Sequence, residues 1–222
     1  MKKWVFIIAL ILILAIIFSS QIGKNKMKLD VPFYEQTSSL NCGPNALKMA
    51  LEFLGKSYSI EEIENAAEIK QGKAVSTIRL AIAAKKFGFK TQFFSEVVGF
   101  NEKNLELDFY KQYADLTLEN ETQELFNKAE ELGIELNEKT LTLEEIIENI
   151  KRDRIIILLL DWNTLIDKKG YQGHFVVITG FDKESIYIHN SEAFFKVEKA
   201  SFDKARKAKG TDQDLIIISK NL

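Results

Sequence analysis

The 222-residue chain is predicted to be an α+β protein, and three observations lead there. Apolar residues recur at three- and four-residue intervals through the first part of the chain, the signature of helices with one buried face. From Ile155 onward short β-branched and aromatic runs take over, which predicts strands. A hydrophobic fraction of 46%, with 11% aromatics, is enough to bury a substantial core. Helices that lead and strands that follow predict an antiparallel C-terminal sheet packed by N-terminal helices.

In chain order, Met1-Lys2-Lys3 precedes an unbroken apolar run from Trp4 to Phe18. A positive start and about fifteen apolar residues suit a signal peptide, whereas a spanning helix needs nearer twenty. Ser19 and Ser20 extend the span, so an uncleaved membrane anchor stands beside the cleaved reading. Residues 1–27 are therefore assigned to a signal peptide or anchor and 28–222 to one folded domain. That domain is expected outside the cytoplasmic membrane, secreted or held by a single N-terminal segment.

Leu29 to Tyr34 is an extended lead-in, because Pro32 disfavours helix for the residue before it. Ala46, Leu47, Ala50, Leu51, Phe53 and Leu54 then give an amphipathic helix stopped by Gly55, with Pro44 in its first turn. Ser59 with Glu62 forms a capping-box pattern for a second helix to about Lys70. A third spans about Ser76 to Phe87, and Phe89 to Phe94 alternates as a strand. Asn101 to Leu136, rich in Glu and Lys, reads as two solvated helices broken near Asp115 and ended at Gly133. Thr142 with Glu145 repeats the capping pattern and starts a helix to about Arg152. Ile155 to Leu160 is a continuous apolar run, as a fully buried strand requires. Phe175–Thr179, Ser185–Ile188, Phe195–Val197 and Leu215–Ser219 supply further strands.

The chemistry centres on Cys42, the only cysteine. It opens the first helix in Gln36-Thr-Ser-Ser-Leu-Asn-Cys42-Gly43-Pro44. Unpaired N–H groups and the positive end of the helix dipole favour a thiolate there, so a depressed pKa is expected. A single thiol forms no internal disulfide, and two histidines with one thiol make no metal ligand set; no metal or cofactor is expected. The formal charge of −2 offers no footprint for nucleic acid.

His174 opens one predicted strand, and His189 and Asn190 end the next. If these strands form a hairpin whose paired residue numbers sum to an even value, such as 364 or 366, His174 and Asn190 share a face. Asn190 then accepts the ring N–H and turns the other nitrogen toward Cys42; an odd sum separates them. Asn190 also fits a plain strand-end turn, and His174 a satisfied strand-end histidine. His189 lies on the opposite face and reads as structural. Asp161 to Asn163 follows the buried strand, either lining a cleft or serving the fold.

Taken together, Val31-Pro-Phe-Tyr-Glu-Gln36, Asn41-Cys42-Gly43-Pro44, Gly173-His174-Phe-Val-Val-Ile-Thr-Gly180 and Ile186-Tyr-Ile-His-Asn190 resemble the papain-like cysteine peptidases related to the double-glycine leader peptidases of bacteriocin exporters. The resemblance covers Leu29 to Leu222. It implies a papain-like fold in which an N-terminal helical part carries the cysteine and a C-terminal antiparallel sheet carries the histidine. It further implies Cys42 as nucleophile, His174 as base and then acid, Asn190 as orienting group, and Gln36 as oxyanion donor beside the Cys42 N–H. The expected activity is hydrolysis of a peptide or isopeptide bond through an acyl-enzyme, with a peptide or protein substrate. Acyl transfer from the same intermediate and a catalytically silent peptide-binding module are the alternatives. Two departures stand out: the family most often has Asp-Pro where this chain has Asn190-Ser191, and there is no Walker loop or transporter domain.

Overall fold

The computed structural model describes residues 26–190 and 193–221. Among them, eight strands form one sheet: β1 (Met27–Lys28), β2 (Lys90–Ser95), β3 (Glu135–Glu138), β4 (Arg154–Asp161), β5 (Gly173–Phe181), β6 (Ser185–His189), β7 (Phe195–Glu198) and β8 (Leu215–Ser219). Their order is β3-β2-β8-β4-β5-β6-β7, with β1 on β5. Every pairing is antiparallel except β2 with β3, which is parallel. The fold is α+β, as predicted, but the sheet is wider than expected. The C-terminal strand β8 lies between β2 and β4 and joins the two halves of the chain in one core. β3, the sequence Glu-Leu-Asn-Glu, was not anticipated because it is a half-exposed edge without an apolar run.

The helices are α1 (Cys42–Phe53), α2 (Ile60–Ala66), α3 (Thr77–Lys86), α4 (Asp108–Tyr113), α5 (Glu119–Glu131), α6 (Leu143–Asn149), α7 (Trp162–Leu165) and α8 (Lys199–Arg206). Both capping boxes form. Ser59 Oγ accepts the Glu62 N–H at 3.1 Å while Glu62 accepts the Ser59 N–H at 2.7 Å; Thr142 and Glu145 repeat this at 3.1 and 2.8 Å. Such caps are worth about 1 kcal/mol each. The break near Asp115 has a tertiary cause: its carboxylate is drawn down to buried Arg79 of α3, 2.7 Å away.

β4 is buried along nearly its whole length, which requires cover on both faces of the sheet. α1 and α3 pack on one face, and α7 with α8 on the other. Gly43 lets α1 approach: a Cβ there would meet Val75 Cγ1 at 2.4 Å and Phe175 at 3.2 Å. The contact seats the first turn of α1 against β5, and with it Cys42.

The predicted signal peptide or anchor falls mainly on residues 1–25, outside the described residues. Among the described residues no helix is long and apolar enough to cross a membrane.

Candidate active site

The position of the thiol follows from strand pairing. Leu159 and Phe175 are opposed in β4 and β5, and the Leu159 N–H donates to Asp214 O at 3.0 Å, away from β5. Theirs is therefore the pair without mutual hydrogen bonds, and the Phe175 N–H points away from β4. β6 does not cover that edge, because its pairing begins only at Val177 with His189. The Phe175 N–H lies near enough to the Cys42 sulfur to oppose the rise of its pKa. The nucleophile candidate thus lies near the main chain one residue from His174.

The β5–β6 register is the even one at this end. Val177 with His189 and Ile178 with Ile188 both sum to 366, and carrying the register one step further sets Asn190 opposite Val176, on the His174 face. A bulge between Ile178 and Gly180 produces this, since beyond it the partners become Gly180 with Tyr187. Gly180 serves the bulge by allowing β1 to approach: a Cβ there would lie 2.3 Å from Met27 O.

His174 itself faces the α7 side, its ring centroid 5.1 Å from that of Trp162, and Phe195 lies beyond Trp162 at 6.0 Å. Burial lowers the imidazole to about 4. Asn190 is buried just after β6. Gln36 lies in the loop before α1, where its amide donates to Ser38 O at 3.2 Å. Asn41 organises that loop by donating to Thr37 Oγ1 at 2.8 Å and accepting the Ser38 N–H at 3.2 Å, and does not cap α1 with its side chain. Cys42 lies near the Phe175 main chain and the register puts Asn190 on the His174 face, while the His174 ring turns to the α7 side and Gln36 is held by its own loop.

The expected depression of the Cys42 pKa is corrected. Burial raises the thiol, and the N–H groups of Phe175, Gly43 and Cys42 itself offset only part of that rise. Desolvation outweighs the helix terminus because a thiolate loses more hydration than three N–H donors restore. With His174 lowered as well, burial favours the uncharged form of each group.

His189 is structural, as its face implied. Its Nε2 lies 3.0 Å from Val31 O and its Nδ1 accepts the Phe194 N–H at 2.9 Å, which assigns the proton to Nε2. Asp161 caps α7, accepting the Asn163 and Thr164 N–H groups at 3.2 Å each, and also accepts the Gln172 N–H at 2.8 Å. Trp162, in the Asp161–Asn163 stretch left open between lining a cleft and serving the fold, stands against the His174 ring. Sequence reasoning missed a cavity of about 120 Å³ that Cys42 and Phe175 border and that runs to Thr77 and Asp214. No local motif announces it, since its walls come from segments far apart in the chain.

The architecture is that of the papain-like C39 peptidase domains. A chain from Bacillus anthracis described as a C39-like peptidase superposes with a TM-score of 0.54 at 15% identity, over 88% of this chain and 98% of that one. A double-glycine motif protease from an AMS/PCAT transporter, solved with its leader peptide, gives 0.50 at 15% identity, over 87% and 94%. At that identity the likeness establishes the fold. By sequence, the chain belongs to the guanylylate cyclase family, which it matches over residues 31–218. Guanylyl cyclase 1 of Arabidopsis thaliana is 28% identical over 212 residues, 86% of this chain and 76% of that protein.

Proposed function

We propose that the chain is a thiol hydrolase acting on a peptide or isopeptide bond. The observation that carries this is Cys42 at the start of α1, near the Phe175 N–H of β5 one residue from His174, and bordering a cavity. In this reading the thiol proton passes to the His174 imidazole as substrate binds, and the sulfur attacks the carbonyl carbon. The tetrahedral intermediate collapses when the imidazolium gives its proton to the leaving amine. Water, deprotonated by the same imidazole, then releases the acid and restores the thiol. Asn190 orients the ring, and Gln36 together with the Cys42 N–H holds the oxyanion; Gln36 exchanges Ser38 O for substrate to do so. The solved leader-peptide complex of the double-glycine protease supports a peptide as substrate class. Export, with an N-terminal signal or anchor, belongs to the same proposal.

A second reading, nucleotide cyclisation, is favoured by the family and by the Arabidopsis relative. The cavity lining fits it less well: three aspartates border it and, among the described residues, no lysine or arginine does, so a triphosphate would meet carboxyl groups and no cationic side chain. One pair of assays separates the two. Wild type and Cys42→Ala are treated with a thiol-directed peptidyl electrophile, and with GTP and a divalent cation. The hydrolase reading expects labelling and peptide cleavage that Cys42→Ala abolishes, with no cyclic GMP from either protein. Cyclic GMP formed equally by both proteins, with no labelling, sinks it. Adding an amine acceptor to the cleavage assay distinguishes hydrolysis from acyl transfer by its products.

A further inference from the structure

The cavity has a second end. Ser95, Asp214, Leu159 and Phe175 form one row across β2, the start of β8, β4 and β5. Phe94 pairs with Leu215, Leu158 with Leu215, and Leu159 with Phe175, so the next residues in register share a face. Asp214, Leu159, Phe175 and Cys42 all border the same cavity. Two strand spacings separate Asp214 from Phe175, roughly 10 Å across the sheet. An extended, long side chain reaching from a carbonyl at Cys42 closes that span.

Three carboxyls border the cavity, and two are occupied. Asp115 takes Arg79 at 2.7 Å and Ser76 at 3.2 Å. Asp212 takes the amides of Asn101 and Asn104 at 2.8 and 2.7 Å. Asp214 has no such cation or amide, and no lysine or arginine among the described residues lines the cavity to supply one. Burial, with Asp212 adding to it, pushes the Asp214 carboxyl up to about 7 against the opposing pull of the Ser95 and Thr77 hydroxyls beside it. The hydroxyl of Thr77, 2% exposed at the start of α3, borders the same end and completes no hydrogen bond of normal geometry. Between the two ends the walls are apolar, with Val75, Phe93 and Leu159 among them.

We propose that this end of the cavity is a subsite for a basic side chain, in which Asp214 receives the ammonium or guanidinium of a lysine or arginine whose carbonyl lies at Cys42. The apolar walls take the aliphatic stem, and Thr77 Oγ1 gains the donor it lacks as an acceptor. The cation favours ionised Asp214 and displaces its proton into solvent. The other titratable groups around that carboxyl are Asp212, Asp115 and the phenols of Tyr110 and Tyr171. The lysine or arginine preference rests on the thiol-hydrolase reading; the cation subsite does not.

The test uses the full chain and peptidyl chloromethyl ketones that differ only in the residue bearing the ketone. Lysine and arginine probes alkylate Cys42 about tenfold or more faster than the norleucine probe, the difference a buried charged hydrogen bond supplies. Asp214→Asn brings the lysine-to-norleucine ratio near one. Equal rates in the wild type overturn the subsite whatever the variant's stability. In parallel, n-pentylamine and n-pentanol are titrated calorimetrically into Cys42→Ala and into Cys42→Ala with Asp214→Asn. Binding of the amine over the alcohol, lost with Asp214→Asn, supports the subsite even if no probe labels Cys42, a result that removes only the hydrolase reading. No amine preference in Cys42→Ala overturns the subsite.

Discussion

His174 and His189 sit on neighbouring strands of one sheet, yet their surroundings differ in kind. His189 is fully buried, with both ring nitrogens engaged by main-chain groups of Val31 and Phe194 and its ring edge-on to Phe33 and Phe194. It ties the lead-in segment to the turn after β6. His174 is only half-buried, leans on one aromatic wall at Trp162, and precedes Phe175, whose N–H lies near the thiol. A histidine whose two nitrogens are satisfied by backbone has no proton to trade. His174, held neutral by burial and walled by one aromatic ring, is the base of the proposed reaction.

Exchanging the two in an experiment sharpens the comparison. His174→Ala is expected to lower turnover by roughly 10³-fold with little change in melting temperature. His189→Ala orphans Val31 O and the Phe194 N–H and is expected to cost about 3 kcal/mol in denaturant unfolding, with any activity loss tracking the unfolded fraction. A large rate loss without destabilisation in His189→Ala would break the comparison.

The next effect is structural. Gly180→Ala drives a Cβ into Met27 O and is expected to destabilise by about 2–3 kcal/mol, as forced backbone shifts do. Because the bulge also sets the even register, that variant is expected to lose more activity than its residual fold explains. Hydrogen exchange across β5 and β6 reads the register directly.

The smallest effect is a shift on the pH axis. The imidazole must be neutral to accept the thiol proton, and burial lowers it to about 4, so the acid limb of kcat/KM is expected near pH 4 rather than 6.5. Trp162→Ala opens the wall and moves that limb upward. Stability follows the same sign: the unfolded histidine binds a proton below about 6.5 and the folded one only below about 4. This contribution is therefore present above pH 6.5 and lost as pH falls through that window. Thermal melts of wild type and His174→Gln between pH 4 and 7 check it.

Local information was legible where local physics decides. The two capping boxes, the amphipathic face of α1, its stop at Gly55 and the buried run of β4 follow from spacing and propensity within a dozen residues. Cys42 and His174 stood out as rare reactive side chains at an element start. β3 was illegible because a polar edge strand borrows its pairing from β2 and has no pattern of its own. Asp214 as the far end of the cavity was equally hidden, being 172 residues from Cys42 in sequence and two strands away in space.

Composition and periodicity alone thus determined the α+β class and the helices that follow Asn41, Ser59, Ser76 and Thr142, and marked Cys42 and His174 as candidates, because each depends on neighbours along the chain. Tertiary structure alone decided the bulge that selects the even register and the burial that raises the Cys42 thiol and lowers the His174 imidazole. A side chain's charge depends on how much water packing removes, and that is set by segments the local sequence does not contain.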